Sequence, residues 1–164
     1  MIKIIRATQN PLSLMGECAS ACWDSTSSPQ IGIDCIESGH GRVLEYPDVI
    51  VEIEGYSARM IREFYTKQVG VTKLQASTRY INYKEFDYYI PESIKNNDYA
   101  YEEYIQFMSN IQNTYEYLLS QGIPKQDIAN ILPLGMYSKV VLKINADKII
   151  INIGILRIKI IMII

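Results

Sequence analysis

Histidine occurs once in the 164 residues, at His40, and cysteine three times, at Cys18, Cys22 and Cys35. So small a supply of ligating side chains leaves little to build a metal site from. Cys18 and Cys22 stand about one turn apart on a predicted helix, but with partners so scarce they read as small apolar core residues, and no metal is expected. The odd cysteine count argues against a disulfide framework and fits a reducing, cytoplasmic setting. An excess of either charge is missing too: 16 Lys and Arg face 18 Asp and Glu, for a net charge of -2, and the basic residues are scattered. Without a basic stripe, polymeric nucleic acid is not an expected partner, whereas a single nucleotide needs only one or two well-placed arginines. The chain also has no repeat of fixed period, and its opening apolar run, Met1–Ile5 with Lys3 inside it, is too short for a signal-peptide core.

What is present suffices for one globular domain, since 48% of the residues are apolar and 21% charged. Met1–Ile5 reads as an opening strand. Asn10 before Pro11 is a cap-then-proline helix start, and Leu14, Met15, Cys18, Ala19 and Cys22 recur at helical spacing to an end near Trp23. Ser25 to Pro29 reads as a loop by composition. Val49–Ile53 is rich in β-branched residues and reads as a strand, handing over at Ser57 to a helix that runs to about Lys67. The tyrosine-rich stretch from Tyr80 to Pro91 suggests a strand or an extended segment beside a sheet. From Asp98 to Ser120, Tyr101, Tyr104, Met108, Ile111, Tyr115 and Leu118 follow a 3.6-residue period that Gly122 closes. Pro124 opens a short helix toward Ile131, and Pro133 stops it.

Two short clusters carry chemistry. In His40-Gly41-Arg42-Val43-Leu44-Glu45 an imidazole and a carboxylate stand five residues apart just ahead of a strand; taken alone, this is a loop with one surface histidine. In Gln75-Ala76-Ser77-Thr78-Arg79-Tyr80 a hydroxyl stands two residues from a guanidinium. Arginine's planar fork matches a phosphate, and a serine with neighbouring backbone N–H groups can complete such a cradle. Taken alone, this too is only a strand start with an exposed arginine.

Order and spacing join these clusters to Leu132-Pro133, Tyr137-Ser138 and Asn145-Ala146, and the whole series resembles the flavin-dependent thymidylate synthases. The resemblance covers residues 1 to about 146. It implies an α/β (α+β) domain with a mainly antiparallel sheet flanked by helices. It also implies a methyltransferase that converts dUMP to dTMP, with methylenetetrahydrofolate as carbon donor and NADPH reducing a bound FAD that carries the hydride. Members are homotetramers with shared sites, so dUMP, folate and further copies of the chain are the implied partners, with no membrane among them. Carried over residue by residue, the dUMP side would be Glu63, Thr66, Gln75, Ala76, Ser77, Thr78, Arg79 and Asn130. The FAD side would be Arg42, Glu45, Thr66, Lys67, Gln68, Asn145, Ala146 and Asn152. His40 and Arg157 would stand nearest the chemistry, Arg157 where the family polarises the uracil ring.

The same comparison marks departures. The family's Arg-His-Arg cluster falls on Thr66-Lys67-Gln68, its Glu on Gln75, and the Arg of its Arg-x-x-Leu-Pro on Asn130. Asn-Ala-Arg becomes Asn145-Ala146-Asp147, unless one residue is inserted and Lys148 takes the arginine's place. These lost charges motivate a second expectation, a catalytically impaired homologue that retains nucleotide binding or only the oligomer scaffold. The segment 147–164, family-like to about 157, ends in an isoleucine-rich run. A membrane anchor takes about twenty apolar residues, and this run is shorter and holds Asn152, Arg157 and Lys159. A buried strand pair and a truncated or frameshifted terminus are the other readings. The last is preferred, because isoleucine, lysine and asparagine are what AT-rich DNA encodes out of frame.

Overall fold

In the computed structural model, residues 1–67 and 70–149 are described. Strands β1 (Ile2–Ala7), β2 (Asp48–Ser57), β3 (Thr72–Gln75) and β4 (Tyr137–Asn145) form a sheet in the order β1-β2-β4-β3. Pairing is antiparallel: the N–H of Thr8 meets the Asp48 carbonyl while the N–H of Glu54 meets that of Met1. Likewise Ala58 pairs with Met136 at one end of β2 and Ala146 with Pro47 at the other. The helices are α1 (Pro11–Trp23), α2 (Pro29–Glu37), α3 (Ala58–Lys67), α4 (Glu92–Lys95), α5 (Asp98–Ser120) and α6 (Lys125–Ile128). This is the antiparallel α+β fold that the sequence resemblance implied.

Period-two burial explains the two long strands. Val49, Val51 and Ile53 of β2 are buried, as are Ser138, Val140, Leu142 and Ile144 of β4, while their neighbours are less covered. One face of each strand therefore meets a core and the other does not. Asp48 holds two strand neighbours by charge, pairing with Arg6 of β1 and with Lys143 of β4 at 3.1 Å.

By proximity along the fold the described residues divide into two compact units. The first is residue 1 with 53–67 and 74–140. Its core joins Met108 and Tyr115 of α5 to Tyr83, Phe86, Ile128 and Met136. The hydroxyls of Tyr83 and Tyr115 are both buried there without a hydrogen-bond partner among the described residues. An unmatched buried hydroxyl carries a desolvation penalty and returns nothing for it. Tyr115→Phe is therefore expected to leave stability unchanged or raise it by about 1 kcal/mol, read from the urea midpoint. A loss above that size would show that the hydroxyl has a partner after all. Helix α5 begins at Asn97, whose Oδ1 accepts the Ala100 N–H at 3.1 Å. It ends in a Schellman turn, with Ile123 N–H on the Leu118 carbonyl and Gly122 N–H on that of Leu119. Gly122 has a φ of 77°, the left-handed region that glycine enters without strain.

The second unit is residues 2–52, 70–73 and 141–149. Its helical core is Met15, Ala19, Cys35 and Val43. Helices α1 and α2 approach closely at two glycines: a Cβ on Gly32 would lie 2.9 Å from the Leu12 carbonyl oxygen, and one on Gly16 would meet the Ser28 carbonyl.

Several expectations need correction. Asn10 does not cap α1 through its side chain; it adopts φ 50°, ψ 60°, and only its carbonyl, receiving the Leu14 N–H, joins the helix. Cys22 is exposed and Cys18 only partly covered, so the buried cysteine is Cys35. The loop read from Ser25 to Pro29 ends in an unforeseen helix: Ser28 is its cap, its Oγ accepting the Ile31 N–H, and Pro29 its first residue. Of the two readings of Tyr80 to Pro91 the strand is not found, whereas an extended stretch beside the sheet is, bridging Tyr88 to Met136. The isoleucine-rich run from 150 onward lies outside the described residues.

Candidate functional site

The Gln75 to Tyr80 segment leaves β3 and is fastened to β4 as it does so. Ala76 donates its N–H to the Lys139 carbonyl at 2.8 Å, and Gln75 Nε2 lies 3.3 Å from Ser138 Oγ. Ser138 is buried, so this second tie is sheltered from water. The chain then turns on itself. Ser77 Oγ accepts the Arg79 N–H at 3.2 Å, and the Ser77 carbonyl accepts the Ile81 N–H. The turn leaves Arg79 exposed, its guanidinium carbon 5.9 Å from the Tyr80 ring centroid. Arg79 has no carboxylate partner among the described residues. A tethered loop whose guanidinium has no carboxylate partner among the described residues, with Ser77 and Thr78 next to it in the chain, is suited to receive an anion.

Beside this loop opens a depression of roughly 560 Å³ lined by Met1, Glu54, Ala76, Tyr83, Ser138 and Lys139, among others. Lys139 and Glu54 pair across its lining at 2.9 Å. Burial, and next the neighbouring Tyr115, push the Tyr83 phenol above its ordinary value. Burial does the same first for Tyr88 and Tyr104, followed by Tyr101 and Tyr88 respectively. All three thus hold their protons more tightly folded than unfolded, so their contribution is complete below the unfolded phenol value of about 10. Stability should be flat with respect to these groups below about pH 10 and fall as pH rises through the raised folded values. Urea midpoints across that range check it; a rise there would reverse the sign.

Of the other nucleotide-side residues, Glu63 is exposed on α3. Asn130 donates its Nδ2 to the Asp127 carbonyl at 2.9 Å, a bond within its own turn. The side chains of Thr66 and Lys67, and all of Gln68, Asn152 and Arg157, lie outside the described residues.

The flavin-side residues whose side chains are described belong to the second unit. His40 heads a 3-10 turn, Gly41–Glu45, that leaves Arg42 and Glu45 exposed. Its Nδ1 is 2.9 Å from Ser38 Oγ, whose own proton goes to the Asp34 carbonyl at 2.6 Å. Trp23 meets the imidazole edge-on, ring centroids 6.5 Å apart. Asn145 and Ala146 serve the backbone: Asn145 Oδ1 accepts the Lys148 N–H at 3.1 Å, and Ala146 N–H reaches the Pro47 carbonyl. Lys148 pairs with Asp147 at 2.7 Å.

Sequence reading missed the Gln75–Ser138 tie and the strand that supplies Ser138. The alternation from Ser138 to Ile144 was the signal that could have found that strand.

Comparison with known proteins decides the family. The family described as thymidylate synthase complementing protein matches residues 3–157. The chain belongs to it. Among similar family members, the flavin-dependent thymidylate synthase of Pyrococcus abyssi is 27% identical over 160 residues, an alignment covering 88% of this chain and 65% of that one. The flavin-dependent thymidylate synthase of Nitratidesulfovibrio vulgaris is 25% identical over 169 residues, covering 88% and 69%. This chain therefore spans about two thirds of the length of such family members, and just under that for the first. In fold it resembles a solved UMP/dUMP methylase, PolB from Streptomyces cacaoi, with a TM-score of 0.69 at 15% identity. That match covers 89% of this chain and 72% of the methylase. No helix among the described residues is long and apolar enough to cross a membrane.

Proposed function

We propose that this family member makes dTMP by methylating dUMP, with residues 1–146 as its working domain and 147–164 as an aberrant isoleucine-rich tail, weakly family-like to about 157. The carrying observation is the Gln75 to Tyr80 loop. It is anchored to β4 by Ala76 and Gln75 and presents an exposed Arg79, without a carboxylate partner among the described residues, next in the chain to Ser77 and Thr78. Arg79 and Ser77 would hold the phosphate, while Gln75 and Ala76 would line the nucleotide, with Glu63, Thr66 and Asn130 nearby in role. FAD, suggested by the names of the family members it resembles, would supply hydride transfer with NADPH as the reductant, and methylenetetrahydrofolate would be the carbon donor.

The residues assigned to FAD fit an anionic, aromatic cofactor in their chemistry. Arg42 is exposed without an ion pair among the described residues, and His40 is exposed with its Nδ1 on the Ser38 hydroxyl. Glu45 is exposed beside them, and Asn145 retains its amide nitrogen for a ligand while its oxygen caps the backbone. Lys67, Gln68 and Asn152 complete the assignment to FAD, and Arg157 would polarise the uracil. A homotetramer would bring several chains' residues to each site. A cytoplasmic enzyme acting on small molecules is the setting this reading implies.

The test is direct. Purified chain mixed with FAD should take up the cofactor and turn yellow, and after reduction it should release the C5 proton of dUMP and form dTMP. A protein that is colourless once unbound FAD has been removed would sink the flavoenzyme reading. One observation favours a second reading, a nucleotide-binding homologue without turnover. Asn130 stands where the family has arginine and spends its amide on its own turn. Calorimetric binding of dUMP with no dTMP formed would support that reading, and measurable turnover would remove it.

A further inference from the structure

A lysine five residues before Asn130, where the family's positive charge is absent, reaches the nucleotide loop. Lys125, the first residue of α6, donates from Nζ to the Tyr80 carbonyl at 3.0 Å. Arg79 lies against the ring of that same tyrosine. Two cations from distant parts of the chain thus converge on Tyr80, one at its carbonyl and one at its ring, both within the first compact unit.

Neither cation makes an ion pair with a carboxylate among the described residues. The acidic group nearest in sequence, Asp127 on the same short helix, is exposed, and its backbone carbonyl serves Asn130. An ammonium has three donors, and one suffices for the Tyr80 carbonyl. The carbonyl bond also fixes the lysine stem, so the remaining two donors are held near the loop instead of sweeping through solvent. A second cation held in this way raises the potential felt by an anion at Arg79 and adds a charge-assisted contact to it.

We propose that Lys125 is a second contact for the phosphate of the bound nucleotide, acting beside Arg79 in place of the cation missing at Asn130. The inference rests on the nucleotide reading above and extends it to a residue outside the family's own motif. The merely structural alternative is that Lys125 only ties the end of the loop to α6. The two differ in what they predict for a nucleoside that lacks the phosphate.

The 164-residue chain, with or without FAD, is titrated calorimetrically with dUMP and with deoxyuridine at one fixed ionic strength. Lys125→Gln should weaken dUMP about tenfold, the equivalent of about 1.4 kcal/mol, and leave deoxyuridine unchanged. Lys125→Arg, which keeps the charge and can still donate to the Tyr80 carbonyl, should retain most of the affinity for dUMP. Unaltered dUMP binding by Lys125→Gln overturns the proposal, as does an equal loss for both ligands, which would mark a structural tie. If the unmodified chain binds dUMP no more tightly than deoxyuridine, the phosphate reading of Arg79 fails, and this inference falls with it. That result is distinguishable, because it appears before any substitution is made.

Discussion

Gly16→Ala is expected to destabilise the chain by about 3 kcal/mol, the upper end of ordinary overpacking. The added methyl would be driven into the Ser28 carbonyl oxygen and would lie 2.7 Å from its carbon. Backbone stands in the way there, and it belongs to the cap of α2, whose Ser28 Oγ accepts the Ile31 N–H. Relief therefore requires α1 to back away from α2, opening the contacts of Met15, Ala19, Cys35 and Val43. Gly32→Ala should act in the same direction, since its methyl would meet the Leu12 carbonyl at 2.9 Å and the Met15 Cβ at 3.1 Å. Gly41→Ala is the control: a Cβ there meets nothing within 4 Å and the backbone is not left-handed, so the change should stay within about 0.5 kcal/mol. Urea unfolding of the three variants measures the series. If Gly16→Ala unfolds at the same midpoint as Gly41→Ala, the close approach of the two helices is wrong.

Arg79→Gln is expected to weaken dUMP binding about a hundredfold while leaving the unfolding midpoint within experimental scatter. The two halves of that expectation have separate causes. The guanidinium is exposed and has no carboxylate partner among the described residues, so the folded chain loses little with it. The nucleotide would lose a planar donor pair to its phosphate, and hydrogen bonds to charged groups contribute about 1.5–3 kcal/mol each. Arg79→Lys should recover only part of the affinity, because an ammonium keeps the charge and loses the fork. Calorimetry with dUMP gives the first half and urea denaturation the second. Undiminished binding by Arg79→Gln would remove the loop from the nucleotide site.

What the sequence determined by itself is local or motif-borne. The 3.6-residue period and Gly122 set the bounds of α5 because a helix bonds residues four apart, and its start and stop signals sit in the same few residues. Proline at the first helical position did the same for α1. The order of His40, Glu45, Ser77, Arg79 and Leu132-Pro133 was enough to indicate the family. Helix α2 and strand β4 were legible in principle, the first from Ser28 before Pro29, the second from alternation between Ser138 and Ile144. Both are short patterns that a loop-like composition or a motif nearby can hide.

Only the tertiary structure decided the rest. Arg79 reads in sequence as one exposed cation, and nothing local shows that Lys125 arrives at the next residue's carbonyl from 45 positions away. Gln75 reads as a lost charge until Ser138 is seen beneath it, and Gly16 as a weak helix residue until the Ser28 carbonyl is seen against it. Each of these contacts joins segments with no sequence period in common. Chain pattern fixes what a segment is, because its hydrogen bonds and periodicity close within it. It leaves open what the segment touches, because that depends on how strands pair and helices cross once the core has excluded water.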